Sequence, residues 1–167
     1  MKTLLIGCGN SRKKRVFPLG RKDVGELVTL DINPFCKPDY VYDLECLPYP
    51  FEDEEFDEIH AYEVLEHMGQ QGDYKFFFDQ WNEFRRIMKP GGFFCGSSPA
   101  LSSRWLWGDP GHTRAITPEA LSFLTEDHYD QVGDTCATDY RPFLDGYWNA
   151  PGIQHKDDIM YFVLQRV

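Results

Sequence analysis

The sequence has no long apolar run and no paired cysteines. Its apolar runs are far shorter than the roughly 20 residues needed to cross a bilayer. The first residues lack a signal-peptide pattern, because basic residues follow a very short apolar stretch. The five cysteines are odd in number and include no C-x-x-C pair, which argues against a disulfide framework and against a zinc knuckle. These absences predict a cytoplasmic protein with reduced thiols and no membrane partner.

Positive charge is also scarce. The 167 residues carry a formal net charge of −10, so a general electrostatic attraction to nucleic acid is not expected. The exception is a basic run, Arg12-Lys13-Lys14-Arg15, which is either a solvated loop or a docking point for a phosphate-bearing substrate or nucleic acid. The chain length suits a single domain over residues 1–167, and no internal repeat divides it.

The first apolar run ends in closely spaced glycines. The apolar residues 4–6 lead directly into Gly7-Cys8-Gly9, which is the pattern of a buried first strand in a parallel sheet. Glycines let the backbone turn sharply and leave no Cβ between the main chain and a ligand. In an open α/β sheet, the carboxyl end of such a strand is where a nucleotide-like cofactor binds.

Acidic residues follow the next two predicted strands. The second strand, residues 27–30, ends on Asp31, about 20 residues beyond the glycine turn, where a carboxylate can accept hydrogen bonds from both ribose hydroxyls. A short third strand at residues 40–42 leads to Asp43. Residues 12–22 lack an amphipathic stripe and contain Pro18 and Gly20, so we expect a loop or at most one helical turn there.

The remaining sequence predicts alternating strands and helices. An amphipathic helix is predicted at residues 74–88, and a second helix begins at Pro118 with Thr117 as its N-cap. The other predicted strands are residues 56–62, a fifth strand from residue 93, residues 129–132 and residues 159–164. This alternation indicates a mostly parallel sheet, in which the last two strands form an antiparallel edge pair.

Short motifs recur along the chain in a fixed order. They are Gly7-Cys-Gly-Asn10, Leu30-Asp-Ile32, Asp43-Leu44 with Leu47-Pro-Tyr-Pro50, Phe56-Asp-Glu-Ile59, Val64-Leu-Glu-His67 and Met88-Lys-Pro-Gly-Gly92. In order and spacing they resemble the class I (Rossmann-like) S-adenosylmethionine-dependent methyltransferases, and most closely a small bacterial and phage branch. The resemblance implies an α/β, Rossmann-like, mostly parallel sheet with an antiparallel edge strand and helices on both faces. The first helix of that fold is expected to be reduced or missing.

The resemblance also implies S-adenosylmethionine as the cofactor and assigns roles at the strand ends. Asp31 would hold the ribose diol, Asp43 would bind the adenine amino group, and Glu63 would lie near the amino group of the cofactor. The other implied cofactor-binding residues are Gly7, Cys8, Gly9, Asn10, Ser11, Ile32 and Leu44.

Some positions depart from the family pattern. Leu5 replaces an acid that is often found in the first strand, and Ser11 replaces the third glycine of the turn. Without a regular first helix, no helix dipole faces the carboxylate of the cofactor, and Arg12 or Lys13 could supply that positive charge. A dinucleotide would require a third glycine where Arg12 stands, and the sequence contains no G-x-x-x-x-G-K-[ST] phosphate loop.

The segment after the fourth strand is rich in acidic and imidazole side chains. Glu63, Glu66 and His67 resemble the E-V-x-E-H segment of metal-assisted methyltransferases, in which they could bind one ion with His112 completing the set. The alternative is a common helix opening, with His67 bonded to a backbone carbonyl. We expect this alternative, without a metal, and predict Glu66, His67 and His112 as candidate catalytic residues that could act as a general base.

The sequence therefore predicts an enzyme that transfers a methyl group from S-adenosylmethionine to a small-molecule or surface-accessible hydroxyl or amine. The reduced helix and the short chain motivate a competing prediction, a non-catalytic regulatory module that only binds S-adenosylmethionine. The aromatic residues Trp105, Trp107, Tyr147 and Trp148 either line a substrate pocket or pack in the core.

Overall fold

The computed structural model describes residues 1–20 and 25–167. Within these residues the chain forms a seven-stranded sheet. Its strands are β1 (Lys2–Ile6), β2 (Glu26–Asp31), β3 (Tyr40–Val41), β4 (Phe56–Tyr62), β5 (Met88–Pro99), β6 (Trp148–Lys156) and β7 (Ile159–Arg166). The α-helices are α1 (Tyr74–Ile87) and α2 (Pro118–Ser122).

The strands lie in the order β3-β2-β1-β4-β5-β7-β6. The first five strands are parallel to their neighbours among themselves, whereas β7 is antiparallel to both β5 and β6. The predicted mostly parallel sheet with an antiparallel edge is therefore confirmed. From β1 the chain moves to β2 on one side and later to β4 on the other. The strand order thus reverses at the carboxyl ends of β1 and β4, where open α/β sheets bind their ligands.

Helix α1 is bounded and oriented by local sequence signals. The carboxylate of Asp73 accepts a hydrogen bond from the backbone amide of Phe76 at 3.1 Å, which caps the helix. The buried face of α1 includes Trp81 and Phe84, whose ring centroids each lie 4.9 Å from that of Phe94 on β5. The helix ends one residue before the predicted boundary, and its apolar face anchors it against the sheet.

The predicted start of the second helix is also confirmed. Thr117 Oγ1 accepts a hydrogen bond from the backbone amide of Ala120 at 3.1 Å, as expected of an N-cap residue. The fifth strand begins earlier than predicted, at Met88, and includes the glycines of residues 91–92. Its pairing with β4 is irregular between Phe56 and Glu58, so these glycines lie beside a bulge instead of in a separate turn.

The predicted strand at residues 129–132 is wrong. Residues Asp127–Gln131 form a 3-10 helix, and the side chain of Tyr129 turns inward and donates a hydrogen bond to the carbonyl of Phe123 at 2.6 Å. The strand that pairs with β7 is β6 instead. Its pattern gave little sign of a strand, because it is a mostly exposed edge strand that contains Pro151 near a shift in register.

The two faces of the sheet are covered very differently. Leu4 and Ile6 of β1 point into the main apolar core, which they share with residues of both α-helices. Leu5 points to the opposite face and packs with Cys8 and Tyr62. On that face the described part of the connection after β1 has only the 3-10 turn Pro18–Gly20. The predicted reduction of the first helix is confirmed for residues 12–20, whereas residues 21 and 22 lie outside the described residues. In the described part of the connection after β1, this one turn stands where the first helix of the fold is expected.

Candidate active site

A cavity of about 960 Å³ opens at the carboxyl ends of β1, β2 and β4, where the strand order reverses. Its size is typical of a small-molecule site. Most of the predicted cofactor-binding residues line it: Gly7, Gly9, Asp31, Ile32, Asp43, Leu44 and Glu63. Their convergence follows from the parallel sheet, because the carboxyl ends of parallel strands meet at one edge.

The glycine turn after β1 needs both of its glycines, for different reasons. Gly7 and Gly9 have φ angles of 57° and 49°, which side-chain-bearing residues rarely adopt. A Cβ on Gly7 would lie 2.4 Å from Cγ2 of Val64, so only glycine lets β1 approach the segment after β4. A Cβ on Gly9 would meet no described atom within 4 Å, and Gly9 borders the cavity directly. The backbone at Gly9 is therefore open to a ligand.

Asp31 connects the glycine turn to the end of β2. Its Oδ2 accepts a hydrogen bond from the amide of Gly9 at 2.7 Å, and its Oδ1 accepts one from the amide of Asn33 at 2.8 Å. Asp43 Oδ1 accepts one from the amide of Glu45 at 2.9 Å. An ionised carboxylate offers about four acceptor positions, so each aspartate keeps capacity for hydroxyl or amino donors of a ligand.

Three predicted cofactor-binding residues of the glycine loop, Cys8, Asn10 and Ser11, do not line the cavity. The side chain of Cys8 is buried on the second face of the sheet, beside Leu5 and Tyr62. Burial raises the pKa of the Cys8 thiol, which keeps it protonated at neutral pH. A contact between Cys8 and a ligand in this cavity could only involve its backbone.

The basic run after the glycine turn takes part in the fold. Arg12 donates hydrogen bonds to the carbonyls of Gly9 at 3.0 Å and Cys36 at 2.8 Å, so it joins the loops that follow β1 and β2. The ammonium of Lys14 forms a buried ion pair with Glu58 on β4. Arg15 lies over the ring of Tyr62, 5.1 Å from its centroid. Arg12, Lys13 and Arg15 are exposed and Lys14 is buried, so the run is only in part a solvated loop. Docking of a phosphate-bearing substrate or nucleic acid at this run stays a prediction.

Glu66 has an unusual environment for a carboxylate. It belongs to the 3-10 turn Leu65–His67, has no exposed surface, and receives no hydrogen bond to either carboxylate oxygen from any other described residue. The pKa of Glu66 is raised to about 8, chiefly by burial and in smaller part by the nearby negative charge of Glu63. Buried polar groups are usually hydrogen-bonded, so an unpartnered carboxylate indicates a functional group.

Two imidazoles stand beside this carboxylate. His67 Nδ1 lies 3.1 Å from the carbonyl of Gly111, and His112 Nδ1 lies 3.1 Å from the carbonyl of Leu106. Carbonyl oxygens only accept hydrogen bonds, so each Nδ1 carries a proton, and the neutral form of each ring has its lone pair on Nε2. The ring centroids are 4.5 Å apart, and one donor atom from each of Glu66, His67 and His112 lies within 4.8 Å of the others.

This cluster therefore joins the three predicted catalytic residues but not Glu63. The Oε1 of Glu63 accepts a hydrogen bond from Ser97 Oγ at 2.7 Å, at the end of β5. The predicted hydrogen bond of His67 to a backbone carbonyl is present. His67 also lines the cavity, so it connects the cluster with the candidate cofactor site.

His112 is far from Glu66 in the sequence and is brought beside it by hydrogen bonds from its neighbours to the carbonyls of residues 65 and 66. The amide of Thr113 donates to the carbonyl of Glu66 at 2.9 Å, and the buried guanidinium of Arg114 donates to the carbonyl of Leu65 at 3.0 Å. Arg114 also binds the side chain of Gln80 on α1 at 2.5 Å. Sequence reasoning missed these positioning contacts, because no local pattern links residues 34 to 49 positions apart.

Some cavity residues were also missed. Met68, Gln70, Asp73 and Phe76 line the wall formed by the connection to α1 and its first turn. Of these, Asp73 had a sequence signal, since it is the N-cap of α1. The others line the cavity only because the chain turns back over it after β4.

The aromatic residues divide between the two sequence interpretations. Trp148 is 1% exposed and packs edge-on against Trp81 with centroids 5.6 Å apart, so it belongs to the core. Trp105 and Trp107 are 55% and 59% exposed and lie on the loop that carries His112. They flank Leu106, whose carbonyl lies 3.1 Å from Nδ1 of His112.

A sequence profile of the methyltransferase domain family matches residues 4–96, and the chain belongs to this family. A search of curated proteins found no match. The matched residues contain most of β1 and β5 together with β2 to β4 and α1, and they include nearly all residues that line the cavity. S-adenosylmethionine is accordingly the cofactor of this domain.

Solved structures agree with this assignment. The chain is similar to S-adenosylmethionine-dependent methyltransferases from Archaeoglobus fulgidus (TM-score 0.60, 16% identity, 99% of this chain and 86% of that one) and Methanosarcina mazei (0.61, 16%, 99% and 92%). It is also similar to the N-methyltransferase NodS from Bradyrhizobium japonicum in complex with S-adenosylhomocysteine (0.58, 14%, 99% and 77%). At these identities the similarity establishes the fold.

Among the residues that the structure describes, none of the helices combines the length and apolar character needed to cross a membrane.

Proposed function

We propose that this domain transfers a methyl group from S-adenosylmethionine to a hydroxyl or amine of a small molecule or of a surface-accessible group. The observation that carries the proposal is one cavity edged by the glycine turn and by Asp31 and Asp43, with His67 in its wall. His67 leads from there to the unpartnered carboxylate of Glu66 and to His112. Groups suited to binding the cofactor and groups suited to acid–base chemistry therefore lie at the same cavity.

The binding half of the proposal assigns the nucleoside to the strand ends. Asp31 accepts hydrogen bonds from the ribose hydroxyls through its remaining lone pairs, and Asp43 accepts one from the adenine amino group. Gly9 leaves the backbone clear for the methionine portion. Arg12, already bound to the carbonyl of Gly9, adds positive charge beside the turn. The residues present suit this cofactor, since its hydroxyl and amino donors need carboxylate acceptors.

The chemical half assigns alignment and proton removal to the far wall. S-adenosylmethionine, when bound, supplies a methyl group on a positively charged sulfur. The acceptor lone pair forms the new C–O or C–N bond while the C–S bond breaks and its electrons stay on sulfur. His67 borders the cavity and takes the acceptor proton on Nε2, while the carbonyl of Gly111 holds its Nδ1 in place. Most of the acceleration comes from holding the acceptor in line with the C–S bond.

Two experiments test the two halves separately. Calorimetric titration with S-adenosylhomocysteine should show one site per chain, and Asp31→Asn should weaken binding about 10- to 100-fold because it loses charged hydrogen bonds. Asp79→Asn, on the exposed side of α1, is the matched control and should bind normally. A methyl-release assay over a panel of hydroxyl and amine acceptors then tests turnover. Tight binding without turnover on any acceptor would favour the regulatory module over the enzyme.

A further inference from the structure

A second, smaller cavity of about 220 Å³ lies next to the candidate cofactor cavity, and both are lined by Gln70 and Asp73. The second cavity is bounded by the first turn of α1, by α2 and by Tyr140. An apolar cavity of about 150 Å³ can hold benzene, so this volume suits one aromatic ring with a small substituent. Because the shared residues belong to the loop that leads into α1, the two cavities lie against the same loop.

Aromatic side chains form much of the wall of the second cavity. The ring centroid of Tyr140 lies 5.1 Å from that of Phe78 and 5.5 Å from that of Phe123. It also lies 5.3 Å from the centroid of Tyr74, and all these rings line the cavity together with Phe77. Aromatic rings attract one another in tilted and edge-on arrangements at such separations, so the ring of a ligand is suited to this wall.

Arg114 brings a positive charge to the same wall. It is 4% exposed and is the only basic side chain among the described residues that line the second cavity. Its Nε donates to the carbonyl of Leu65 and its Nη2 to Oε1 of Gln80, which fixes the plane of the guanidinium. Nη1 donates to no acceptor in the described part of the chain, and it is not among the fully enclosed atoms that lack a partner. Its two N–H groups are therefore available to a ligand.

The buried guanidinium also lacks a counter-ion. No described carboxylate forms an ion pair with Arg114, although Glu45 and Asp73 act on its ionisation through space. Glu66 has a pKa of about 8 and is mostly uncharged at neutral pH. Burial lowers the pKa of Arg114 to about 10, which leaves it charged at neutral pH. Buried charges are normally paired, so this cation is suited to an anion that enters through the cavity.

We propose that the second cavity binds the ring and the carboxylate of an aromatic acid, that Arg114 donates to this carboxylate, and that the acid is the methyl acceptor. The planar guanidinium matches a carboxylate in shape and charge, and the aromatic wall matches the ring. The role of the acid as acceptor rests on the proposed methyl transfer, and the binding site itself does not.

The shared loop gives the acid its direction. With its carboxylate at Arg114, the acid extends its hydroxyl or amine past Gln70 and Asp73 to the candidate cofactor cavity, where His67 lies. The oxygen or nitrogen forms the new bond to the methyl carbon, the C–S bond breaks with its electrons on sulfur, and the proton goes to His67. The products are S-adenosylhomocysteine and the methylated acid, whose carboxylate is unchanged.

Calorimetry on the full chain tests the site without any cofactor. The probes are the isomers of hydroxybenzoate, aminobenzoate and, as a match without the charge, hydroxybenzamide. At least one acid should bind once per chain, and its amide should bind about 10- to 100-fold more weakly because it loses a charged hydrogen bond.

A variant that fills the second cavity tests the location of the site. Ala120→Phe places a ring in the cavity from α2, leaves the bonds of Arg114 to Leu65 and Gln80 in place, and should reduce binding of the acid at least 100-fold. The matched control is Glu119→Phe at the exposed neighbouring position, which should bind the acid normally. Circular dichroism confirms that both variants are folded.

The same samples are then titrated with S-adenosylhomocysteine and assayed for methyl transfer. The site is overturned if no acid binds, if the amide binds as tightly as its acid, or if Ala120→Phe binds the acid normally. Binding of S-adenosylhomocysteine and turnover of other acceptors in that case leave the proposed methyl transfer intact. Binding of an acid that the chain does not methylate overturns its role as acceptor. Binding of an acid by a chain that does not bind S-adenosylhomocysteine supports the site and overturns the proposed methyl transfer.

Discussion

Glu58 and Glu66 are buried glutamates eight positions apart in the sequence. They differ in whether the buried carboxylate has hydrogen-bond partners. Glu58 is 2% exposed and accepts from Lys14 and from Nε2 of His60 at 2.9 Å. Glu66 is 0% exposed, and no other described residue donates to its carboxylate. The partners of Glu58 lower its pKa despite burial, whereas burial raises the pKa of Glu66 to about 8.

The Glu58 cluster is closed and structural. His60 Nδ1 accepts from the hydroxyl of Tyr62 at 2.6 Å, and that hydroxyl accepts from the backbone amides of Arg15 and Val16 at 2.8 and 3.0 Å. The chain of bonds holds the basic run on the second face, where the first helix of the fold is reduced. Satisfied networks of this kind stabilise one arrangement of the chain. An unsatisfied group on the other face, beside a cavity, indicates a site instead.

The largest expected effect is a loss of catalytic activity when Glu66 is replaced. Glu66→Gln should lower kcat about 10²- to 10⁴-fold on the acceptor found by the panel, because it removes the carboxylate beside His67, the proposed general base. Binding of S-adenosylhomocysteine should change little. The control is Glu119→Gln on the exposed side of α2, with unchanged activity. Full activity of Glu66→Gln would contradict a catalytic role for this residue.

The next largest expected effect is a loss of stability when Glu58 is replaced. Glu58→Gln should lower the free energy of unfolding by about 3–5 kcal/mol, because the ammonium of Lys14 stays buried without its counter-charge. Adding Lys14→Met should recover most of the loss, since the double variant buries no unpaired charge. Urea denaturation of the single and double variants measures both. If the double variant is as unstable as the two single losses combined, the ion pair is not the source of the effect.

The sequence predicts those parts of the cavity and of the two glutamate clusters that depend on local patterns. It does not predict contacts between residues that are far apart along the chain. Asp31 and Asp43 were predicted at the cavity because each follows a strand, a local signal that the parallel sheet converts into proximity. Alternation along β4 likewise places Glu58 and His60 on one face. The pairing of Glu58 with Lys14, 44 positions away, has no such signal, because it depends on how the loop crosses the sheet. The same holds for the lack of a partner at Glu66, which is a property of its tertiary surroundings.

A third expected effect is a pH dependence of the free energy of unfolding that comes from Glu66. The folded-state pKa of Glu66, about 8, lies above its ordinary value of 4.5, so the folded state binds its proton more tightly than the unfolded state. This contribution to stability is complete below pH 4.5 and is lost as the pH rises through about 8. Glu66→Gln cannot ionise, so above pH 8 it should be the more stable protein by on the order of 5 kcal/mol. Thermal unfolding in the presence of a chelator, at pH 6 and pH 9, measures the difference. Equal pH profiles for the two proteins would mean that Glu66 is hydrated or paired in solution.

The smallest expected effect is the opposite pH dependence of the Glu58 cluster. Burial holds the pKa of His60 below its ordinary value of 6.5, so the unfolded state binds this proton more tightly, and stability falls as the pH drops below 6.5. The lowered pKa of Glu58 adds a further loss below its ordinary value of 4.5. His60→Gln keeps hydrogen-bonding capacity toward Glu58 and Tyr62 but cannot titrate, so the loss just below pH 6.5 should disappear while the loss below pH 4.5 remains. Urea midpoints at half-unit intervals from pH 7 to pH 4 resolve the two steps. A slope between pH 6.5 and pH 4.5 that survives in His60→Gln would have to come from titrating groups outside the cluster.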